Sequence, residues 1–198
     1  MMPASARKIT GADIVPMAQY AKERADRRRA LLPTKKLRRI EVGPHATFYF
    51  ENFDTMLLQV QEMLYIEKGG AEQLADELRA YNPLIPQGSE LIATVMFEID
   101  DPIRRKTILQ RLTGIEETIF LDIGGVKLKA ESETEVDRTD DDGKTSSIHF
   151  VRFKIADPLK AKFRDPATMI TLGFNHENYG HMALLQPATR AELAKDFA

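Results

Sequence analysis

The feature that most limits what this chain can fold into is the order of its two periodicities. Helical patterns come early. From Glu90 onward, short runs of strand character dominate: "ELIATVMFEID" (Glu90–Asp100), "TIFLDIG", "SSIHFVRFKI", "TMITLGF" and "HMALL". Parallel strands need crossovers of a dozen or more residues, usually helical. No regular strand–helix alternation supplies them here, which excludes a doubly wound sheet. The order predicts an α+β fold with a mostly antiparallel sheet, an N-terminal helix, a helical hairpin and a C-terminal helix.

Local signals set the elements. A helix is expected from about Gly11 to Leu31, capped by Thr10, with Pro16 delaying its regular part and Pro33 just past its end. "KKLRRIEVGPHATFYFEN" reads as two short strands around a Gly43-Pro44 turn. "FENFDTMLLQVQEMLYIE" (Phe50–Glu67) reads as holding a helix from about Asn52 to Lys68, capped by Asn52 or Asp54 and ended by Gly69-Gly70. "AEQLADELRAY" follows so closely that the two should form a helical hairpin. "DPIRRKTILQRL" is a helix with Asp101 at its cap and Pro102 at its first position. "VKLKAESETEVD" and "SSIHFVRFKI" are expected to form a hairpin around "TDDDGK". "DPLKAKF" reads as a short helix, and "TRAELAKDF" opens with a capping box of Thr189 and Glu192.

Charge divides the chain. Residues 1–39 hold eleven Lys and Arg against three acids, a surplus of +8, which leaves −10 on the remainder. The expected organisation is a basic helical N-terminal arm, 1–39, and a single α+β domain, 40–198. Arg27, Arg28, Arg29, Lys35, Lys36, Arg38 and Arg39 are the candidate partner-binding residues, because clustered cations attract phosphates and acidic surfaces. No helix-turn-helix pattern or interleaved aromatics accompany them, so self-docking or a solvated face outweighs nucleic acid. The chain contains no cysteine, which removes disulfides, thiolate nucleophiles and cysteine-held metal clusters. With no signal core and no run of about 18 apolar residues, the expectation is a cytoplasmic protein with no membrane partner.

Motifs with fixed chemistry are missing: no phosphate loop, no dinucleotide fingerprint, no nucleophile elbow, no paired-histidine zinc helix. "TDDDGK" fails as a calcium loop, since Arg138 and His149 stand where acids are needed. Histidines and carboxylates remain. On the Phe50–Glu67 helix, Met56, Leu57, Val60, Met63 and Leu64 share an apolar arc, while Glu51, Thr55 and Glu62 share another side. Gln61 points away from both. Glu67 falls within the apolar arc at the last turn, where a carboxylate opposes the helix dipole. It is expected either to reach water by fraying or to meet a buried partner. Glu62, Glu67, His45, His149 and His176 are therefore the candidate metal ligands, suited to iron, manganese or zinc. His149 shares a strand face with Val151 and is equally suited to a buried structural role.

Several segments together resemble one bacterial family, domain of unknown function 3501: "RRIEVGP", "FENFDTMLLQVQEMLYIE", "YNPLIP", "ELIATVMFEIDD", Arg104, "LTGIEE", "IHFVRF" and "RAELAKD". Phe53, Leu58 and Tyr65 depart from the Arg- or Trp-type residues expected in that helix. The resemblance points to Glu51, Gln61, Glu62 and Glu67, with Asn82 and Pro83 structural. It also implies, through gene neighbourhoods rich in rubrerythrin-like and iron–sulfur oxidoreductase-like proteins, a role in redox or peroxide defence. Three functional expectations follow: a non-catalytic accessory protein beside a redox or iron-containing partner, able to form homo-oligomers; a metal- or carboxylate-dependent enzyme; or nucleic-acid binding through the basic arm.

Overall fold

The strand runs do pair antiparallel, but into two sheets. A computed structural model describes residues 7–132 and 144–198. The first sheet runs β1 (Arg39–Val42), β2 (Ala46–Phe50), β3 (Glu90–Phe97), β7 (Ile148–Lys154) and β6 (Glu131–Ser132) in that spatial order. The second runs β5 (Val126–Lys129), β4 (Ile119–Ile123), β8 (Ile170–Phe174) and β9 (Met182–Leu184). Register follows the pleat. Phe48 opposes Val95 and Val95 opposes His149, so one face carries Phe48, Phe50, Ala93, Val95 and Val151 toward the second sheet. Leu121 opposite Leu172, and Phe174, answer from the other side, with the Phe48 and Phe174 ring centroids 5.3 Å apart. Leu109 and Leu112 of the α4 segment (Pro102–Gln110 and the turn after it), Phe163 of α5 (Asp157–Arg164) and Leu193 of α6 (Pro187–Leu193) join the same core.

The other face of the first sheet is covered by helices. Ile92 lies beneath α2 (Phe53–Glu67), packing with Met56, Val60 and Leu64. The helical hairpin is completed by α3 (Gly70–Tyr81), and Ile9 seals the same cluster from the N-terminal segment. Asn82 ties that segment down by accepting from the Ile9 N–H and donating to its carbonyl, at 2.7 and 3.0 Å. α1 (Met17–Leu37) lies across α2 with Tyr20 buried. Among the described residues, no helix is long and apolar enough to cross a membrane.

Four expectations change. α1 starts after Pro16 but continues through Pro33 to Leu37. An internal proline costs roughly 3 kcal/mol; the last turn leads directly into Arg38, which is buried and ion-paired. The left-handed residue ending α2 is Lys68, at φ 58, rather than Gly69. "VKLKAES" is two strands: β5 pairs with β4, whereas Glu131 and Ser132 pair with β7. The turn expected at "TDDDGK" lies almost wholly outside the described residues. α6 begins at Pro187, so Thr189 and Glu192 form no capping box.

Candidate functional site

Between α2 and the outer face of the first sheet is a cavity of about 360 Å³. Met56, Met96, Ile148 and Phe150 make its walls apolar, and Gln59, Tyr81 and Lys35 add polar groups. Glu51 is its most unusual member. It follows directly on β2 and precedes Asn52, the residue capping α2, so strand end and helix start together hold it. The Asn52 side chain accepts from the Thr55 N–H, and the Thr55 hydroxyl accepts from the Asn52 N–H, both at 2.9 Å. With its hydroxyl already accepting there, Thr55 donates its proton to Glu51 Oε2, 2.6 Å away. The Thr94 hydroxyl, from β3, donates to Glu51 Oε1 at 2.7 Å.

Glu51 is only 8% exposed and has no ion pair among the described residues. Burial is the largest influence on its carboxyl and pushes the pKa up; the two hydroxyls and the more distant Lys35 and Arg38 charges pull it down less. Each carboxylate oxygen accepts one hydroxyl and has lone-pair capacity for more. The site thus combines an apolar cavity with a buried carboxyl group lacking an ion-pair partner among the described residues.

Arg38 fixes the backbone of this site. Its guanidinium donates to the Phe50 carbonyl at 2.9 Å and the Glu51 carbonyl at 2.8 Å, and it pairs with Asp196 at 2.5 Å and Glu192 at 3.6 Å. Arg38 was expected among the partner-binding cations; at 1% exposure it is instead a structural residue. Of the others, Arg27 pairs with Glu23, Arg29 with Asp26, and Arg39 with Glu41 and Glu98. Arg28 approaches Glu62 at 3.8 Å. Lys35 and Lys36 are exposed.

The candidate metal ligands do not converge. Glu62 receives two hydrogen bonds from Arg24, at 2.8 and 2.7 Å, and one from the Tyr20 hydroxyl at 2.5 Å. The Arg24 bonds hold its carboxyl down at about 2. Glu67 is exposed and accepts from Gln73 at 2.9 Å, which answers what that residue meets. Gln61, expected to point outward, is buried and bonds both the N–H and the carbonyl of Val15. His149 sits between the sheets, 2.8 Å from the Ser146 carbonyl and 3.9 Å from Glu116. His176 bonds the Thr113 carbonyl, and His45 lies in a separate cleft. Among the described residues, no group of three or more His, Cys, Asp or Glu could hold a metal ion.

Thr94, Gln59 and Tyr81 were not anticipated at a site, and Lys35, expected among the partner-binding cations, lines this cavity. Alternation along "ELIATVMF" does put Thr94 on the face of Ile92 and Met96, opposite the core, and a hydroxyl there was the available signal.

A two-sheet α+β fold with a helix-covered cavity and a buried carboxylate defines the architecture. The chain belongs to the family described as protein of unknown function (DUF3501), whose model matches residues 8–197. It is also similar to a crystal structure of a novel protein of unknown function from Burkholderia pseudomallei. That chain is 34% identical, with a TM-score of 0.88 over 96% of this chain and 100% of the other. No curated protein matches the chain.

Proposed function

We propose that this protein is a small-molecule-binding module whose ligand occupies the cavity under α2. The ligand class that fits is an apolar body carrying an amine or a similar hydrogen-bond donor. The observation that carries this reading is Glu51: a buried carboxyl group facing a cavity, with no ion pair among the described residues. A protonated amine would supply an ion-pair partner, while the Met and Phe walls would hold the remainder. Lys35 at the rim contributes a positive charge that a carboxylate on the same ligand could meet.

The test is a titration of isotope-labelled protein with hexylamine, hexanol and hexanoate, followed by amide chemical shifts. Hexylamine should give saturable shifts at Thr55, Gln59 and Thr94, stronger than hexanol, with hexanoate weakest. Glu51→Gln should remove the preference for the amine. Equal response to all three probes, or an amine preference that survives Glu51→Gln, would overturn the reading.

An accessory role beside a redox or iron-containing protein is supported by the family resemblance and by the charge division of the chain. Co-purification at low salt tests it, and a bait that recovers no iron protein would count against it.

A further inference from the structure

A second cleft, of about 560 Å³, lies between the α4 segment, the β1–β2 turn and the β8–β9 turn. Its charged groups are all of one kind. Arg104 and Arg111 face it from two turns of the same helical segment. His45 and His181 enter from the two turns, Asn178 lies beside them, and no carboxylate among the described residues lines the cleft. Most structured arginines of this protein are engaged: Arg24, Arg27, Arg38, Arg39, Arg79 and Arg152 all form ion pairs. By contrast, the guanidiniums of Arg104 and Arg111 make no hydrogen bond or ion pair among the described residues. Both residues are exposed, so their donors are open to solvent and to a ligand.

The wall behind them is rigid. The buried Tyr179 hydroxyl accepts from the His45 and Ala46 N–H groups, both at 2.9 Å, and donates to the Val42 carbonyl at 2.8 Å. The His181 ring packs on Tyr179, with centroids 4.6 Å apart. It rests where a side chain on Gly43 would lie: a Cβ there would be 2.6 Å from the imidazole, and Gly43 holds φ +69. Burial, reinforced by the Arg104 charge, lowers the pKa of His45. That direction favours the neutral imidazole, which can donate from one ring nitrogen.

We infer that this cleft binds the phosphoryl group of a small phosphorylated molecule. Two guanidiniums offer the paired N–H donors that match a tetrahedral oxyanion. The cleft is also larger than one phosphate, leaving room for an organic body.

The experiment is an amide-shift titration with inorganic phosphate and with pyrophosphate, each against sodium chloride of matched ionic strength. Saturable shifts at His45, Asn178 and His181 are expected for pyrophosphate. Arg104→Gln and Arg111→Gln should each weaken binding about tenfold or more, since each removes charged hydrogen-bond donors to the anion. Lys106→Gln, an exposed change on the same helix, should leave it unchanged. Non-saturable shifts, or equal weakening by Lys106→Gln, would reduce the effect to general surface charge and overturn the proposal. So would a single-stranded oligonucleotide binding more tightly than pyrophosphate through the same arginines, which would make the cleft a nucleic-acid contact.

Discussion

At Glu51 the physical tension is local and its sign can be worked out. A carboxyl whose pKa is raised on folding binds its proton more tightly in the folded than in the unfolded chain. Below the ordinary glutamate range, both states are protonated and the group costs nothing. As pH rises through the folded value, the folded state becomes relatively less stable. Glu51→Gln removes that penalty, because the Thr55 and Thr94 hydroxyls can turn to meet an amide. Thermal melts should therefore place Glu51→Gln a few degrees above wild type near neutral pH, with the gap closing in acid. A variant less stable than wild type at every pH would mean that the carboxylate is a structural acceptor and not a functional one. Such a stability cost at a binding group is the expected trade between function and folding. The sequence exposed Glu51 as a member of the polar side of its helix, and Thr55 is a local partner there, but Thr94 comes from β3. No local pattern reports a meeting across 43 residues of chain.

Among elements, α2 was the most legible, because its cap and its apolar spacing act within a few residues. Its buried face was less so. Gln61 is buried while Met63 is only half-buried, since α1 covers one flank of the helix and no periodicity in α2 announces that. The α1–α2 contact turns on Glu62. Its carboxyl is held at about 2, so the pair with Arg24 stabilises the fold above the ordinary glutamate range and is lost as pH falls through that value. Glu62→Gln should lower the melting temperature near neutral pH, and the difference from wild type should shrink as pH falls from about 4.5 toward 2. A constant difference across that range would assign the effect to shape rather than charge. Lys68 and Pro33 escape a sequence reading for a shared reason: each stands where residue preference argues against it, Lys68 at φ 58 and Pro33 inside a helix.

For the molecule as a whole, fold class followed from the order of periodicities, but the division into two sheets did not. The run through Val126–Ser132 looks continuous in sequence. Ala130 is buried within it and donates its N–H to Ile119, so the chain leaves one sheet there and enters the other. Only three-dimensional closure of the core specifies that switch. Arg38 is the global counterpart of these local contacts, joining the end of α1, the end of β2 and the C-terminal segment. Removing one partner of a buried ion pair costs about 3–5 kcal/mol, a large share of the ~5–15 kcal/mol that holds a typical domain together. Arg38→Met should show that loss in urea unfolding. A cost under ~1 kcal/mol would mean that the network is dispensable. The same guanidinium also sets a schedule. Arg38 is synthesised 158 residues before Asp196. A nascent chain emerging from the ribosome therefore has no counter-charge for it, and the floor of the cavity can close only once translation has passed Asp196. Closure of the cavity should accordingly wait until Asp196 has left the ribosome.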